Sequence, residues 1–318
     1  MAKFIVTGGA GFIGSNYLKM MVTKYPDDCF LCIDKLTYAS NIKYIGHLFS
    51  YKNFEFKQID ICDEHELDNV FDCFRPDYVI NFAAESHVDN SIMNSSDFIK
   101  TNIMGVQVLL DLCKKYGVKK FHQVSTDEVY GDVAIGSSQS FDESSPLKPS
   151  NPYSASKASA DLLVLSYFRT FKLPITISRC SNNYGPNQCG EKFIPVIINN
   201  ALENRKIPIY GDGRNLRDWI YVEDHCKAID LIVRSDYVGE IFNICANNEI
   251  SNIDMADMIL DKMDLSRDLL SYVNDRPGHD VRYSISCKKI KELLKWNPTE
   301  DFNVCLTDTI EWYKSNKT

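Results

Sequence analysis

The first half of the chain alternates short apolar runs with longer segments in which apolar residues recur every three or four positions. The short runs are rich in β-branched and aromatic residues and predict strands, whereas the longer segments predict amphipathic helices. The predicted strands are 3–7, 30–34, 54–59, 78–82, 121–125 and 175–179, and the clearest predicted helices are 11–24, 98–116 and 155–171. This alternation predicts an α/β fold with a doubly wound, Rossmann-type parallel sheet.

The pattern changes after residue 181, where Pro, Gly and Asn become frequent. Predicted helices at 191–203 and 252–263 are separated there by long loops. We therefore expect a Rossmann domain over 1–181 and a second, smaller mixed substrate-binding lobe over 182–318. Segments near 218–246 are expected to return to the first domain, because the apolar run 239–246 reads as a further strand of the main sheet.

Composition indicates which binding partners this protein can have and in which cellular compartment it is expected. A formal net charge of −8 argues against nucleic-acid binding, which needs clustered Lys and Arg, and no apolar run reaches membrane-spanning length. The chain enters a strand at once, and its 11 cysteines are scattered through apolar segments, so we expect reduced thiols and a cytoplasmic location. Neither the Cys29–Cys32 pair, inside a predicted strand, nor the six histidines have the spacing of a metal or redox site.

A glycine-rich turn follows the first predicted strand. Gly8, Gly11 and Gly14 separate that strand from an amphipathic helix, and glycines allow the backbone to approach a pyrophosphate at a helix N-terminus. Asp34 ends the second strand about 20 residues further on, where an acid can bind the ribose 2'-hydroxyl and repel a 2'-phosphate. The turn therefore indicates NAD rather than NADP, although the neighbouring Lys35 weakens that preference and a packing turn without a ligand is the alternative.

Tyr153 and Lys157 form a second candidate pair, at i and i+4 near the start of a predicted helix. This spacing places both side chains on one helix face. A nearby ammonium group and an oxidised nicotinamide favour the phenolate, so this tyrosine can remove a hydroxyl proton while hydride leaves the same carbon. Thr126 ends an intervening strand and can hydrogen-bond the same hydroxyl.

Two adjacent acids, Asp127 and Glu128, follow Thr126 directly, where a buried strand is predicted to end. Ligands bind beyond the carboxyl ends of the strands in a doubly wound sheet, so both acids are expected at the ligand site. Two carboxyl groups in different environments can hold different protonation states, as an acid and a base require. The alternative is that they are solvated turn residues or helix caps.

Longer motifs then resemble a known family. They are TGGAGFIG, DKLTYASN, FAAESHVDNS, STDEVYG, NPYSASKASAD, SRCSNNYGPNQ, GDGRNLRDWIYVEDHC and DRPGHDVRY, and they run almost from end to end. They resemble the extended short-chain dehydrogenase/reductases that act on nucleotide sugars, and within that family the 4,6-dehydratases of dTDP-glucose. One departure is Cys189-Gly190, where the family commonly has an aromatic-Pro pair before Glu-Lys.

The resemblance implies NAD-dependent dehydration of dTDP-glucose to dTDP-4-keto-6-deoxyglucose. C4 is oxidised, water is eliminated across C5 and C6, and hydride returns to C6, so that a tightly bound NAD is regenerated in each turnover. The resemblance assigns Tyr153 as base at the C4 hydroxyl with Thr126 assisting, Asp127 as the acid for the C6 hydroxyl, and Glu128 as the base at C5. The further residues expected to contact the cofactor are Phe12, Ile13, Lys35, Thr37, Asp60, Ile61, Ala83, Ala84 and Thr101.

The second lobe must then hold a nucleoside diphosphate. Lys192, Arg217 and Arg276 are the candidate cations, because Arg presents a planar multi-donor fork to phosphate oxygens. By resemblance, Ser86 contacts cofactor and sugar, Asn182 and Asn252 bind phosphate or sugar oxygens, Pro208 and Tyr210 line the base pocket, and Glu191 and His279 complete the substrate site. His87 and His279 match family positions, but each is also explained as a hydrogen-bonded structural histidine.

Three other functions are compatible with parts of this sequence, and its helices predict an oligomeric state. UDP-glucose is an alternative substrate, because a thymine methyl discriminates by only about 1–3 kcal/mol. A nucleotide-sugar 4-epimerase needs the C4 step but no acid–base pair, and an inactive NAD-sensing or scaffold protein would usually lack the tyrosine or the lysine. Helices 98–116 and 155–171 carry more apolar residues than one core face needs, so we expect a homodimer through a four-helix contact, as the family implies, with no nucleic-acid or membrane partner.

Overall fold

The computed structural model describes residues 1–316. Its strands are β1 Lys3–Thr7, β2 Cys29–Asp34, β3 Phe54–Gln58, β4 Tyr78–Asn81, β5 Lys120–Thr126, β6 Ile175–Cys180, β7 Asn182–Tyr184, β8 Ile207–Tyr210, β9 Leu216–Tyr221, β10 Glu240–Ile244, β11 Glu249–Ser251 and β12 Leu270–Val273. Its helices are α1 Phe12–Lys24, α2 Glu64–Phe74, α3 Val88–Met93, α4 Ser96–Ile99, α5 Val106–Tyr116, α6 Pro152–Phe171, α7 Phe193–Leu202, α8 Val222–Arg234, α9 Asn252–Lys262, α10 Lys288–Leu294 and α11 Phe302–Ser315.

Seven strands form one sheet in the order β10-β6-β5-β4-β1-β2-β3. All of its pairings are parallel, so the predicted doubly wound sheet is confirmed. The chain winds outward from β1 in one direction through β2 and β3, and in the other through β4, β5 and β6. The strand order therefore reverses between β1 and β4, and this switch point is where such sheets form a ligand crevice.

Apolar residues on the two faces of the sheet form two separate cores. Alternate side chains of the strands point to opposite faces. Those on one face, such as Ile5 and Leu31, pack under α2, α5 and α6, whereas those on the other, such as Phe4 and Phe30, pack under α1 and α8. Both faces are covered, which explains why the strands read as nearly continuous apolar runs instead of alternating ones.

The second half adds smaller sheets beside the main one, and the smaller mixed lobe is confirmed. One sheet has the order β11-β9-β7 and the other pairs β12 with β8. Helices α7, α9 and α11 enclose a core of their own. The run predicted to return to the main sheet does so as β10, on the edge beside β6, whereas β9 stays in the small sheet. The exact division of the chain into domains remains a prediction.

The predicted helix 98–116 is broken by a π-helical turn at Lys100–Gly105, between α4 and α5. Thr101 and Asn102 are buried in this turn. The Asn102 side chain accepts from the backbone of Glu85 at 2.9 Å and donates to the Ser156 hydroxyl at 2.8 Å. The irregular turn therefore directs polar groups inward, which the 3.6-residue apolar period could not reveal.

All eleven cysteines are free thiols. Among residues 1–316, no group of His, Cys, Asp and Glu has the arrangement of a metal site. Within the same residues, no helix is both long enough and apolar enough to cross a membrane.

Candidate active site

A cleft opens at the carboxyl edge of the main sheet, at the switch point. Residues from the ends of β1, β2, β4, β5 and β6, together with the start of α6 and the segment before α7, surround it. The lining residues that the sequence assigned to the cofactor are Gly8, Gly11, Phe12, Ile13, Gly14, Asp34, Lys35, Thr37, Ile61, Ala83, Ala84, Thr101, Tyr153 and Lys157. The cleft thus brings residues from six distant segments together.

The glycine turn has no room for side chains. Gly8 has φ of +67°, and a Cβ there would lie 2.5 Å from the backbone nitrogen of Ala83. A Cβ at Gly14 would lie 2.4 Å from the carbonyl oxygen of Gly8. Gly11 precedes α1 and provides no side-chain cap, so the first N–H groups of α1 remain available to an anion at the helix N-terminus. This cradle fits the diphosphate of a dinucleotide.

Asp34 is buried at the end of β2 and secures the glycine turn. Its carboxylate accepts from the backbone N–H of Ala10 at 3.0 Å and of Leu36 at 2.8 Å. A carboxylate has about four lone-pair positions, so acceptor capacity remains for ribose hydroxyls. These contacts fit NAD.

Lys35 turns away from Asp34 toward other carboxylates. Its Nζ lies 3.8 Å from Asp60 and 3.7 Å from Glu85, and it donates to the Thr101 hydroxyl at 3.3 Å. Asp60 accepts from the backbone N–H of Cys62 at 2.9 Å and does not line the cleft, so the contact with the cofactor that the sequence assigned to it is not seen. Asp60 does not cap α2 either, because the residue that caps this helix is Asp63.

The adjacent acids sit on a tight turn at the end of β5. All seven residues of β5 are buried, and Thr126 then caps a 3₁₀ turn by accepting from the backbone N–H of Glu128 at 3.3 Å. The turn places Asp127 and Glu128 on the cleft wall. Because Asp127 is only 3% exposed, it is not a solvated turn residue.

Burial favours the protonated form of Asp127. The pKa of Asp127 is raised well above its usual value by burial first, and then by the neighbouring charges of Glu128 and Asp218. Arg217 and a hydrogen bond with Thr126 oppose the rise in the pKa of Asp127. A carboxyl group whose pKa is raised in this way carries a proton that it can donate.

Helix α6 presents the tyrosine and the lysine to the same wall. The side chain of Asn151 accepts from the backbone N–H of Ser154 at 2.9 Å and starts the helix. Tyr153 packs edge-on against Phe98, with ring centroids 6.3 Å apart. Lys157 donates to the backbone oxygen of Val124 at 2.7 Å, so β5 fixes its ammonium group.

Both groups lie in a dry environment. Burial raises the pKa of Tyr153 well above its usual value, and the proximity of Glu128, Cys180 and Asp127 raises it further. Burial lowers the pKa of Lys157, which Asp161 and Cys180 partly counteract by raising it. A phenol with such a pKa is not a base at neutral pH by itself; a positive charge beside its oxygen would have to lower that pKa.

Sequence reasoning missed two residues that contact Glu128. The Ser154 hydroxyl donates to its carboxylate at 3.1 Å, and the Tyr283 hydroxyl lies 3.5 Å away while donating to Asp280 at 2.6 Å. Ser154 adjoins Tyr153, so its position next to the proposed base was a usable signal. Tyr283 is 155 residues from Glu128 along the chain, and no local spacing indicates that contact.

The sugar side of the cleft begins where α7 approaches β4. Ser86, Asn182, Glu191 and Lys192 line the cleft as the sequence assigned them. Lys192 donates to the backbone oxygen of Ser86 at 2.6 Å. His87 lies 3.8 Å from Glu191 and accepts from the backbone N–H of Asn90 at 3.3 Å, so His87 caps α3 as a structural histidine does.

The remaining residues assigned to the substrate do not line this cleft. They are Pro208, Tyr210, Arg217, Asn252, Arg276 and His279. Tyr210 and Arg276 share Asp89, at 3.5 Å and 3.3 Å, and His279 contacts Asp275 at 2.6 Å. Arg217 donates to the backbone oxygen of Asp280 at 2.8 Å and stacks over the ring of Tyr283, 4.2 Å from its centroid.

Several polar atoms of the cleft and its rim are buried without a hydrogen bond among residues 1–316. They include Asn182 Oδ1, Gln188 Oε1, Glu191 Oε1 and Arg276 Nε. Buried polar groups are nearly always paired in native proteins. The unpaired acceptor oxygens fit the hydroxyl groups of a polar ligand, and the unpaired guanidinium N–H at the rim fits an anionic group of that ligand.

Comparisons with known proteins agree with this geometry. The family model described as GDP-mannose 4,6 dehydratase matches residues 5–309. A curated relative from Neisseria meningitidis serogroup B (strain ATCC BAA-335 / MC58), named dTDP-glucose 4,6-dehydratase, is 44% identical over 338 aligned positions that cover 100% of this chain and 95% of the relative.

Two solved structures have the same fold. DesIV of Streptomyces venezuelae, a dTDP-glucose 4,6-dehydratase solved with NAD bound, has a TM-score of 0.96 at 40% identity, covering 99% of this chain and 98% of that one. The UDP-glucose 4-epimerase of Thermotoga maritima, solved with UDP-glucose, has a TM-score of 0.92 at 28% identity, covering 99% and 100%. The fold is thus common to dehydratases and epimerases.

Proposed function

This chain belongs to the 4,6-dehydratase family of nucleotide-sugar enzymes, and we propose that it converts dTDP-glucose to dTDP-4-keto-6-deoxyglucose with NAD as a resident cofactor. It is a hydro-lyase of the extended short-chain dehydrogenase/reductase type. We place it in the cytoplasm, since all eleven cysteines are free thiols.

The pair of acids on the cleft wall carries this proposal. Asp127 is buried and its pKa is raised, whereas Glu128 is half-buried and accepts a hydrogen bond from Ser154. Elimination of water needs one carboxyl group that donates a proton and another that removes one. A 4-epimerase requires no such pair.

The C4 hydroxyl is deprotonated by Tyr153, with the help of Thr126 and Lys157. The Tyr153 oxygen accepts the hydroxyl proton, and Thr126 hydrogen-bonds the same sugar oxygen. Lys157, fixed at 2.7 Å from the Val124 carbonyl, supplies the positive charge that lowers the pKa of Tyr153 toward the working pH. NAD held by the glycine turn and Asp34 would supply the hydride acceptor for C4 and the hydride for C6.

The acids then act on the neighbouring carbons. Oxidation at C4 makes the C5 hydrogen acidic, and Glu128 removes it as a proton and gives a proton back to C5 when hydride enters C6. Asp127 gives its proton to the C6 hydroxyl, which leaves as water. Ser154 bonds Glu128 at 3.1 Å and Thr126 bonds Asp127 at 3.3 Å, so each carboxyl group has a hydroxyl partner of its own.

The nucleotide is held at the rim. Arg276 has an unpartnered Nε within the described residues. Lys192 lines the cleft, and burial, with a smaller contribution from the charge of Arg276, lowers the pKa of Lys192. These cations hold the diphosphate, while Pro208 and Tyr210 on β8 contact the base. Asn182, Ser86 and Glu191 contact the sugar, and Arg217, Asn252 and His279 support this rim.

The second copy of the chain covers an apolar surface on α4–α6. Leu162 is 59% exposed and Met104 is 55% exposed, with Ile99 and Phe171 also exposed on the same face of the sheet. Large apolar side chains left exposed on neighbouring elements favour an interface, and two α5–α6 pairs related by a two-fold axis would give a four-helix contact. We propose a homodimer.

Incubation with dTDP-glucose tests the proposed reaction. The expected result is a keto sugar, detected by its absorbance in alkali, with no net change in bound NAD. UDP-glucose in competition measures the nucleotide preference. A galactose-configured product without a keto sugar would replace the dehydratase by an epimerase, and absence of both products, with bound NAD confirmed, would overturn the proposal.

A further inference from the structure

A chain of buried polar groups lies directly behind the proposed catalytic lysine. Asp161 follows Lys157 by four residues on α6, is fully buried, and accepts from Arg179 Nε at 2.8 Å. Arg179 is 2% exposed and donates through Nη1 to the Tyr130 hydroxyl at 2.8 Å. Tyr130 in turn donates to Asn243 at 2.9 Å.

This network connects three elements of the sheet to one face of α6. Arg179 belongs to β6, Asn243 to β10, and Tyr130 to the turn that follows β5. The guanidinium of Arg179 also lies over the ring of Tyr130, 4.8 Å from its centroid. Because Nε and Nη1 of Arg179 both have acceptors in this network, the guanidinium that holds the Asp161 carboxylate is itself fixed.

One oxygen of that carboxylate is left over. Asp161 Oδ2 accepts from Arg179, but Oδ1 is buried and has no hydrogen-bond partner among residues 1–316. Residues four apart on a helix face lie one above the other. The ion pair with Arg179 offsets part of the charge of Asp161, and the unpaired oxygen leaves a negative field on the helix face that carries Lys157 and Tyr153.

We propose that Asp161 is a positioning residue that keeps Lys157 charged in its dry site, with Arg179 as its anchor. This inference rests on the proposed role of Lys157 beside Tyr153. Burial favours the neutral amine, and the interaction with Asp161 opposes it. The hydrogen bond of Lys157 to the Val124 carbonyl brings no negative charge to the ammonium group, so its charge is maintained by a residue that never reaches the substrate.

Other groups around Lys157 contribute less than Asp161 to keeping the lysine charged. Cys180 on β6 faces the lysine, and burial raises the pKa of its thiol to about 12, so it stays neutral. Tyr153 precedes the lysine on α6 and is neutral until it gives up its proton. Asp127 raises the pKa of Cys180, and because its own pKa is raised it stays protonated. Asp161 is the anion that remains.

The pH profile of the NAD-loaded enzyme tests the proposal. Asp161→Asn removes the negative charge and leaves Arg179 to repel Lys157, so the alkaline limb of kcat/KM should move to lower pH, with about a tenfold loss on that limb. Asp161→Asn/Arg179→Met removes both charges and should return the limb toward that of the parent. Tyr130→Phe loosens the arginine without changing a charge, and should lower stability while leaving the limb in place.

A second readout reports the lysine directly. The nuclear magnetic resonance of an isotope-labelled lysine side chain, assigned with Lys157→Met, should show Lys157 losing its proton at lower pH in Asp161→Asn than in the parent. An unchanged lysine titration and an unchanged alkaline limb in folded Asp161→Asn would overturn the proposal. Failure of the proposed sugar reaction would leave this titration measurable, so the two failures are distinguishable.

Should Asp161→Asn not fold, Arg179→Met decides the question. This variant exposes Lys157 to a more negative field, so its titration should move to higher pH. A shift to lower pH, or none, would assign the network to stability alone.

Discussion

The hydroxyl of Ser154 lies 3.1 Å from Glu128 and 3.0 Å from Asn151, the residue that caps α6. The helix that presents Tyr153 is thereby joined at its first turn to the acid on the turn after β5. Proper alignment of the proposed C5 base therefore depends on the start of α6 and not only on β5.

Ser154→Ala should lower keto-sugar formation about tenfold, the effect of losing one hydrogen bond to a charged group. Bound NAD and the unfolding free energy should change little, because the residue stays small and buried. The matched control is Ser159→Ala on the exposed side of α6, where the hydroxyl contacts only the Ala155 carbonyl at 2.8 Å. Equal turnover in both variants would show that Glu128 needs no support from the helix.

Asp127→Asn should reduce product formation by about 10²–10⁴-fold, because an amide cannot give up a proton to the C6 hydroxyl. Solvent deuterium should still enter C5, since Glu128 remains. Glu128→Gln is the comparison, in which both the product and the deuterium at C5 should be lost. Deuterium entry in Glu128→Gln but not in Asp127→Asn would exchange the two roles.

The same variant has a stability signature. The pKa of Asp127 is raised by burial in the folded protein above the unfolded value of 3.8, so above pH 3.8 the folded state holds more protons than the unfolded state. Stability contributed by this group therefore falls as pH rises. Because Asp127→Asn has no carboxyl group to titrate, it does not lose stability in this way as pH rises. In urea unfolding at pH 8, the variant should therefore be at least as stable as the parent. Reduced stability would contradict the raised pKa.

Gly8→Ala should lower the unfolding free energy by about 1–3 kcal/mol and reduce the NAD retained on purification. The reason is the backbone at φ of +67° and the Ala83 nitrogen 2.5 Å from an added Cβ. Gly46→Ala is the matched control, because nothing lies within 4 Å of its Cβ position. NAD retention equal to that of the Gly46 variant would show that the turn tolerates a side chain.

His122 gives the protein a pH dependence on the acid side. Burial lowers the pKa of His122 to about 3 from 6.5, and its ring nitrogens contact Thr176 at 2.9 Å and Ser178 at 3.1 Å. Between these values the unfolded chain binds a proton that the folded chain does not, so stability is lost as pH falls below 6.5. Each such histidine contributes a slope of about 1.4 kcal/mol per pH unit.

Urea unfolding between pH 4.5 and 6.5 should therefore show a smaller slope in His122→Gln than in the parent. His65→Gln is the control, because its side chain is 85% exposed, and its slope should equal that of the parent. An unchanged slope in His122→Gln would mean that the buried ring accepts a proton without cost.

Leu162→Asp should convert the proposed homodimer to a monomer, as measured by light scattering, because it places a charge on the exposed apolar surface of α4–α6. Val304→Asp on α11 is the matched control, since Val304 is 57% exposed and lies outside that surface. A monomeric parent at working concentration, or a dimer in both variants, would contradict the proposed interface.

The sequence predicted the elements of the sheet more accurately than those around them. The predicted strands differ from β1–β6 by at most one residue at either end, because buried parallel strands are short apolar runs bounded by turns. The helix predicted at 98–116 was interrupted by the turn at Lys100–Gly105. That break depends on Asn102 bonding to Glu85 and Ser156, which lie far from it in sequence.

The sequence by itself determined the parallel sheet, the glycine cradle and the side-by-side placement of Asp127 and Glu128, because periodicity, turn chemistry and adjacency are local properties. Only the tertiary structure decided what each acid experiences. Burial of Asp127 depends on β5, and the contacts of Glu128 come from α6 and from Tyr283. Proton affinity follows from the solvent and charges that the whole fold places around a group, and no local pattern specifies them.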